Sequence, residues 1–138
     1  MTAPVVVADA SVGVKIFCRE PGTEHVLALV DEARNGAVVI AIDPLFVYET
    51  LRNVRRKRGA AVALQAWDDL RGLGFVVVPL DADLVRDAFA QADELRCDLY
   101  DAFSAGLAGA LGVPLYSADV RAHSGFPGVV LVGVQEDA

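Results

Sequence analysis

The sequence has 138 residues, of which 54% are hydrophobic, and this is enough for one domain with a substantial core. Its net charge of −7 argues against a protein that binds nucleic acid broadly through positive charge. No apolar run reaches the length of a membrane span, and the N-terminus lacks the features of a secretory signal, so we expect a cytoplasmic protein with no membrane partner. Cys18 and Cys97 have no paired spacing, which argues against a disulfide or a zinc site.

Apolar runs of strand length alternate with helical patterns along the chain. The predicted strands cover residues 4–8, 37–42, 75–79, 113–116 and 129–132. The predicted helices start at or near Asp9, Thr23, Asp43, Ala60, Asp81 and Asp98. This alternation predicts an α/β fold whose parallel sheet is covered by helices on both faces. We expect Leu64, Trp67 and Leu70 to anchor the fourth helix in the core, and Phe89 to face inward from the fifth.

Four acidic residues follow or flank the predicted strand ends. Asp9 comes directly after the first strand, and Asp119 closely follows the fourth. Asp101 lies in the first turn of the sixth helix, and Glu49 lies on the third helix. Because ligands of open parallel sheets bind beyond the carboxyl ends of the strands, we expect these four side chains to converge at one crevice.

Each of these acids also has a structural explanation. Asp9 and Asp119 could cap helices, as Asp43, Asp81 and Asp98 are predicted to do, and Glu49 could pair with Arg52. As a set, however, carboxylates about 4 Å apart repel by roughly 4 kcal/mol per pair at an effective dielectric of about 20, so a cluster needs protons or cations. The set contains no Cys or His, and oxygen ligands favour Mg²⁺ or Mn²⁺. Such a site suits phosphodiester cleavage, because a bound ion activates water and stabilises the leaving oxygen.

Positive charge is concentrated in the third helix, where five of the twelve basic residues fall within seven consecutive positions. One explanation is a solvated helix end, where cations suit the helix dipole. The alternative is that Arg52, Arg55 and Arg56 bind phosphates or a protein partner. Asn53 shares a helical face with Glu49 and Arg52, so it is a candidate supporting residue.

Three segments and the closing apolar strand carry a family resemblance. The segments read VVVADASVGVKIF, PLFVYETLRNVRRK and DLYDAFSAGLAGALGVPLYSAD. Together they resemble the PIN domain, and within that superfamily the VapC ribonuclease toxins of bacterial and archaeal toxin–antitoxin pairs. The resemblance covers nearly the whole chain. It implies a single PIN domain over residues 1–138, with a three-layer α/β/α fold around a central parallel sheet of about five strands.

The resemblance also implies roles for particular residues. The residues that it assigns to the acidic metal-binding and catalytic set are Asp9, Glu49, Asp101 and Asp119. Ser11 and Ser117 match small hydroxyl positions beside the first and last acids, and Asp98 has no counterpart, so we interpret it as a cap or a supporting residue. The implied function is Mg²⁺-dependent endoribonuclease activity on structured RNA, with homodimerisation and inhibition by a small antitoxin. The basic residues of the third helix would then contact RNA, the antitoxin or the second subunit.

Other α/β folds that bind phosphate fit the residues less well. A receiver domain requires an acid pair after its first strand and a Lys after its last, whereas Asp9 stands alone here. A dehalogenase-like phosphatase requires Asp-x-Asp at that point, and a dinucleotide-binding fold requires a glycine fingerprint that the sequence lacks. Two alternatives within the family stay open: an RNA-processing PIN nuclease without an antitoxin, and a non-catalytic PIN-like binding protein.

Overall fold

The computed structural model of the chain describes residues 2–134, which form a five-stranded sheet and the helices between its strands. The strands are β1 (Val5–Ala8), β2 (Val39–Ile42), β3 (Val76–Val77), β4 (Leu115–Ser117) and β5 (Val129–Leu131). The helices are α1 (Ala10–Phe17), α2 (Thr23–Arg34), α3 (Pro44–Arg58), α4 (Ala60–Gly72), α5 (Ala82–Leu95), α6 (Leu99–Leu111) and α7 (Val120–His123). Met1 and residues 135–138, which belong to the predicted domain, lie outside the described residues. No helix in the described part of the chain has the length and hydrophobicity needed to cross a membrane.

The sheet is parallel throughout, and its strand order is β3-β2-β1-β4-β5. The central strand β1 is buried on both faces, as its continuous apolar run predicts. Val6 packs with residues of α1, α2, α3 and α4 on one face, and Val7 packs with residues of α5 and α6 on the other. This arrangement confirms the predicted three-layer α/β/α fold. It also places the carboxyl ends of β1 and β4 side by side.

Two close helix contacts depend on glycine. Helix α1 packs on α3 at Gly13, where an added Cβ would overlap the side chains of Thr50 and Phe46. Helix α5 crosses α6 at Gly106, where an added Cβ would lie 2.8 Å from the backbone nitrogen of Ala88. Since the interior is close-packed, a larger residue at either position would push the helices apart. The two contacts therefore fix α3 and α6, the helices that carry two of the predicted site acids.

The prediction for α4 is wrong in part. Leu64 is 69% exposed and Trp67 is 37% exposed, whereas Leu70 is buried as predicted. The helix packs through a neighbouring stripe that contains Ala63 and Ala66, both of them buried against α1 and α3. Because these alanines allow a close helix contact, the bulkier stripe is left facing outward.

Phe89 and the third strand also differ from the prediction. Phe89 is 57% exposed, because α5 packs inward through the face that carries Leu84 and Ala88. Strand β3 contains only Val76–Val77 instead of residues 75–79. Among the described strands it lies at the edge of the sheet beside β2, so its side chains are not covered like those of a central strand.

Candidate active site

Asp9 directly follows β1 and caps α1. Its Oδ2 accepts a hydrogen bond from the backbone nitrogen of Ser11 at 3.0 Å, which satisfies a free N–H group at the helix start. Its Oδ1 accepts a hydrogen bond from the hydroxyl of Ser104 on α6 at 2.8 Å. Its backbone nitrogen donates to the carbonyl oxygen of Tyr116 at 2.9 Å. The carboxylate is thus both a helix cap and a fixed group between the end of β1 and α6.

Asp119 lies two residues after β4. Because β1 and β4 pair in parallel, Asp119 and Asp9 leave the same edge of the sheet. The Oδ1 of Asp119 accepts a hydrogen bond from the backbone nitrogen of Ala122 at 3.1 Å and caps α7. Its backbone nitrogen donates to the hydroxyl oxygen of Ser117 at 3.0 Å. Both strand-end acids therefore have the capping role that was considered for them, and both lie where a ligand of the sheet would bind.

Asp101 lies in the first turn of α6, and Asp98 is the N-cap of that helix. Asp98 accepts a hydrogen bond from the backbone nitrogen of Tyr100 at 2.9 Å, which confirms the predicted cap. The side chains of Asp98, Asp101 and Asp119 line one cavity of about 340 Å³. The start of α6 therefore faces the end of β4 across this cavity.

Two of the four acids, Glu49 and Asp101, have a raised pKa to which the charges of other acids in the set contribute. Burial raises the pKa of Glu49, and the charges of Asp9 and Asp101 act in the same direction, so that it reaches about 7. The pKa of Asp101 is also raised, by burial first and then by the charges of Asp119 and Asp9. Unrelieved negative charge of this kind fits a hard cation, and carboxylate oxygens are the ligands that Mg²⁺ and Mn²⁺ prefer.

The acids do not form a ready-made ligand shell. Among residues 2–134, no three His, Cys, Asp or Glu side chains are arranged so that they could hold a metal ion as they stand. Asp9, Glu49, Asp101 and Asp119 lie at one edge of the fold, and the charges of their neighbours in this set contribute to the raised pKa of Glu49 and Asp101. Their convergence on a shared ion stays a prediction.

Sequence reasoning missed two residues of this region, His123 and Ser104. His123 is fully buried, and its Nε2 lies 2.6 Å from the backbone carbonyl oxygen of Asp101. Since a carbonyl oxygen can only accept, Nε2 donates to it, while Nδ1 lies 2.6 Å from the hydroxyl oxygen of Ser117. The ring therefore connects the first turn of α6 to the strand end that precedes Asp119.

Ser11 and Ser117, the two predicted supporting serines, connect the loops that carry the strand-end acids. Their hydroxyl oxygens lie 3.4 Å apart. The hydroxyl oxygen of Ser11 also accepts a hydrogen bond from the backbone nitrogen of Ala118 at 2.9 Å. These bonds hold the segment after β1 against the segment after β4, and so fix the spacing between Asp9 and Asp119.

Asp43 lies near these acids but has a structural role. Its Oδ1 accepts hydrogen bonds from the backbone nitrogens of Leu45 and Phe46, at 2.8 and 3.3 Å, and caps α3 as predicted. Burial raises its pKa, although the two backbone hydrogen bonds act in the opposite direction and the charge of Asp9 adds to the rise. Asp81 caps α5 in the same way.

The basic residues at the end of α3 have different surroundings. Lys57 forms an ion pair with Glu20, and Arg58 donates to the backbone carbonyl oxygen of Phe17 at 2.6 Å. These two residues therefore attach the end of α3 to the last residue of α1 and to the segment that follows it. They are engaged in holding the fold and are less suited to bind a ligand.

The residues earlier in α3 are closer to the acids. Arg52 acts against the rise in the pKa of Glu49, which means that its charge lies near that carboxyl group. Arg56 donates to the Oδ1 of Asn53 at 3.0 Å on the exposed surface of the helix. The predicted supporting residue Asn53 is thus engaged by Arg56 along the helix.

Helices α3 and α4 enclose an apolar groove of about 620 Å³, which we call the α3–α4 groove. Its lining includes the exposed side chains of Tyr48, Leu64 and Trp67. Arg52 and Arg55 also line it, so two of the three arginines predicted to bind a ligand lie beside an apolar surface. A contiguous exposed apolar surface of this kind commonly marks a binding site for another protein.

Comparison with known proteins gives the family. The model of the PIN domain matches residues 6–124. Solved structures with the same fold include the sarcin–ricin loop cleaving toxin VapC20 from Mycobacterium tuberculosis (19% identity, TM-score 0.70, covering 90% of this chain and 98% of that chain). They also include DNA-bound VapBC from Salmonella typhimurium (16%, 0.70, 95% and 97%) and a toxin–antitoxin complex from Klebsiella pneumoniae (16%, 0.70, 95% and 99%). No curated protein sequence matches. Because the PIN domain model covers most of the sequence, the chain belongs to the PIN domain family.

Proposed function

We propose that the chain, as a single PIN domain over residues 1–138, is a Mg²⁺-dependent endoribonuclease and the toxin of a VapBC-type pair. The observation that supports this best is the placement of the acids at one edge of the sheet, where β1 and β4 end side by side and Asp101 and Asp119 line one cavity. Burial and the charges of other acids there raise the pKa of Glu49 and Asp101. A folded protein that retains such repulsion is expected to bind a cation there. Membership of the PIN family, and a fold shared with a toxin that cleaves the sarcin–ricin loop, support a nuclease.

The chain's own residues would hold the ion and keep its ligands in place. The four residues that we assign to the ion, Mg²⁺ or alternatively Mn²⁺, are Asp9, Glu49, Asp101 and Asp119. When bound, the ion lowers the pKa of an attacking water and stabilises the leaving oxygen of the phosphodiester. Ser104 and the backbone of Ser11 fix the two oxygens of Asp9. His123 fixes the turn of α6 that carries Asp101, as outer residues of metal sites commonly do.

The test is cleavage of a structured RNA by the purified full-length protein. We expect cleavage with Mg²⁺, no cleavage with EDTA, and a loss of at least about a hundredfold for Asp119→Asn, because even residues that only support metal ligands contribute about 10–100-fold. Asparagine keeps an oxygen that can accept from the backbone nitrogen of Ala122, so the α7 cap is preserved. The matched control is Asp93→Asn on the exposed side of α5, which should cleave like the wild type.

Two outcomes would contradict the nuclease assignment. Cleavage that persists in EDTA would exclude a dependence on metal, and full activity of Asp119→Asn would remove that residue from the site. A protein that binds RNA tightly but does not cleave it with Mg²⁺ or Mn²⁺ would instead favour the non-catalytic alternative within the family.

We further propose that a small antitoxin protein binds the α3–α4 groove and that the chain forms a homodimer. The antitoxin is supported by the toxin–antitoxin complexes among the solved structures that share this fold. The groove presents apolar side chains that would gain from being covered, and Arg52 and Arg55 suit an acidic segment of the partner. The homodimer is implied by the family resemblance, and sedimentation of the purified protein tests it.

The groove assignment predicts a large effect for Trp67→Ala. The probe is the protein encoded by a small reading frame directly upstream, produced together with this chain. Its dissociation constant should rise at least about tenfold, because aromatic anchors at interface centres commonly contribute more than 1 kcal/mol. Phe89→Ala, which truncates an exposed aromatic residue on α5, is the control and should bind like the wild type.

RNA cleavage by the free protein should be the same in Trp67→Ala and Phe89→Ala. Equal binding of both variants to the partner would exclude the groove as its docking site. A chain that cleaves RNA but has no such neighbouring partner would favour the alternative of an RNA-processing PIN nuclease.

A further inference from the structure

The cavity beside Asp101 and Asp119 also contains two arginines, Arg96 and Arg121. Both residues are exposed, and within residues 2–134 neither takes part in an ion pair. Three acids line the same cavity, so the arginines are the only positive side chains in a lining of the described residues that is otherwise negative or small. Their charge is therefore available to a ligand that enters the cavity.

The backbone holds Arg96 at this cavity in an unusual way. Arg96 ends α5 in the left-handed conformation, with φ of 53°, and is the one non-glycine residue of residues 2–134 with a positive φ. Glycine is the usual residue at such a helix end, because a side chain is disfavoured there. The segment is kept in place by the backbone nitrogen of Cys97, which donates to the carbonyl oxygen of Ala92 at 3.2 Å. Arg121 enters the cavity from α7, two residues after Asp119.

The two arginines lie beside different acids from Arg52. Arg52 lies near Glu49 on α3, whereas Arg96 and Arg121 share their cavity with Asp101 and Asp119. Positive charge thus lies beside Glu49 on α3 and, separately, in the cavity of Asp101 and Asp119. A strand with a charged backbone could contact arginines at both places while one of its phosphodiesters lies at the acids.

A phosphodiester is repelled by carboxylates and needs cations beside it to remain bound. Arginine is well suited to this, because its planar guanidinium group donates two parallel hydrogen bonds to phosphate oxygens and stays charged at all relevant pH values. We propose that Arg96 and Arg121 form a phosphate-binding subsite that holds a backbone phosphate of a single RNA strand next to the bond that is cleaved. This subsite depends on the proposed nuclease function, and it adds to that function the residues that position the substrate.

The test measures how RNA binding depends on salt. The protein is the full-length Asp101→Asn variant, because this substitution suppresses cleavage of the probe. Mg²⁺ is present, and the probe is a fluorescein-labelled oligouridylate. Arg96→Ala and Arg121→Ala should each weaken binding and reduce the slope of log affinity against log salt by about 0.7, the value for one phosphate contact with a single strand. Arg34→Ala, at the exposed end of α2, is the control and should leave both quantities unchanged. A peptide nucleic acid of the same bases, whose backbone is uncharged, should show no difference among the variants.

Arg96→Gly separates substrate binding from stability of the fold. Glycine suits the left-handed position, so this variant should melt at a higher temperature than Arg96→Ala. If the guanidinium group binds phosphate, the two variants should lose the same slope. A slope lost only in the less stable alanine variant would mean that Arg96 acts through the fold, and that result would overturn the subsite.

The subsite and the nuclease function can fail separately. Unchanged slopes in Arg96→Ala and Arg121→Ala, together with RNA cleavage by the wild type, would overturn the subsite alone. Lower metal-free stability of both variants with unchanged slopes would show that the arginines only compensate the charge of the acids. A wild type that neither binds nor cleaves RNA would overturn the proposed function and the subsite together.

Discussion

Replacement of Asp101 by asparagine is expected to reduce RNA cleavage by at least about a hundredfold while leaving the metal-free protein as stable as the wild type, or more stable. Burial and the charges of Asp119 and Asp9 raise the pKa of Asp101, so its ionised form lowers the stability of the folded state when no cation is present. Asparagine has nearly the same shape and removes that charge. The N-cap of α6 is Asp98, so the substitution leaves the cap intact.

Mg²⁺ distinguishes a metal ligand from a structural residue at this position. The wild type should gain about 2.7 kcal/mol of unfolding free energy when Mg²⁺ is present at about a hundred times its dissociation constant. Asp101→Asn should gain distinctly less, whereas the exposed control Asp93→Asn should gain as much as the wild type. Urea denaturation of the three proteins, first with EDTA and then with excess Mg²⁺, measures these gains. Marked destabilisation of Asp101→Asn in EDTA, with an equal Mg²⁺ shift in all three proteins, would make Asp101 a structural residue of α6.

The sheet could be predicted because its apolar runs have a simple physical meaning. A continuous apolar run over residues 4–8 is stable only in a strand that is covered on both sides, and Val6 and Val7 do occupy the two faces of β1. The same reasoning predicted a third strand that is longer than the one in the structure. Hydrophobicity alone does not reveal how many neighbours a strand has, and only Val76–Val77 pair with β2 at the edge.

The packing of α4 could not be predicted because the helix has two apolar stripes. Leu64 and Trp67 are the larger residues, and size alone favours burying them. In the fold, however, α4 approaches its neighbours closely through Ala63 and Ala66. The distance between helices decides which stripe is buried, and that distance is a property of the assembled fold.

The positions of the acids could be predicted from the sequence, but the hydrogen bonds that hold them could not. Asp9 and Asp119 were identified because parallel strands end at one edge of a sheet. Ser104 meets Asp9 across 95 positions of sequence, and His123 bonds to the backbone carbonyl of Asp101 across 22. A hydrogen bond to a backbone carbonyl oxygen requires no particular side chain at the acceptor residue, so it leaves no pattern in the sequence. The one available signal was the spacing of four residues between Asp119 and His123, which places them one helical turn apart.

The search for positive charge had the same limit. Consecutive basic residues drew attention to α3, where Lys57 and Arg58 in fact bind the end of α1 and the segment after it. Arg96 and Arg121 are far apart in the sequence. They lie at one cavity only because α5 ends there and α7 begins there.

The metal-free protein is expected to lose stability as the pH rises from about 4.5 to about 7. The pKa of Glu49 is raised from 4.5 to about 7, by burial first and then by the charges of Asp9 and Asp101. Between these values the folded state keeps a proton on Glu49 that the unfolded chain has already released. Since the folded state binds more protons, the free energy of unfolding falls as the pH increases. Glu49 is only half-buried and is screened by solvent. We therefore expect it to contribute on the order of 1 kcal/mol to the change in the free energy of unfolding.

Glu49→Gln isolates this contribution. Glutamine has a similar shape and does not titrate, so the metal-free variant should show a shallower fall across this interval and should exceed the wild type in stability near pH 7. Because the pKa values of Asp43 and Asp101 are also raised, the stability of Glu49→Gln should still fall slightly with rising pH in the acidic part of this interval. Glu32→Gln, on the exposed side of α2, is the matched control and should keep the wild-type slope. Urea denaturation in EDTA at a series of pH values provides the measurement.

With Mg²⁺ the pH trend should reverse, because a metal ion binds only the ionised carboxylates. The gain in stability on adding Mg²⁺ should be small near pH 5 and should grow until Glu49 is fully ionised, above about pH 7. Glu49→Gln should gain less at every pH, while Glu32→Gln should follow the wild type. If the wild type and Glu49→Gln instead show the same slope in EDTA, burial and the neighbouring charges do not raise the pKa of the Glu49 carboxyl. If they also gain equally from Mg²⁺, Glu49 lies outside the metal site, and only the three aspartates are left to form it.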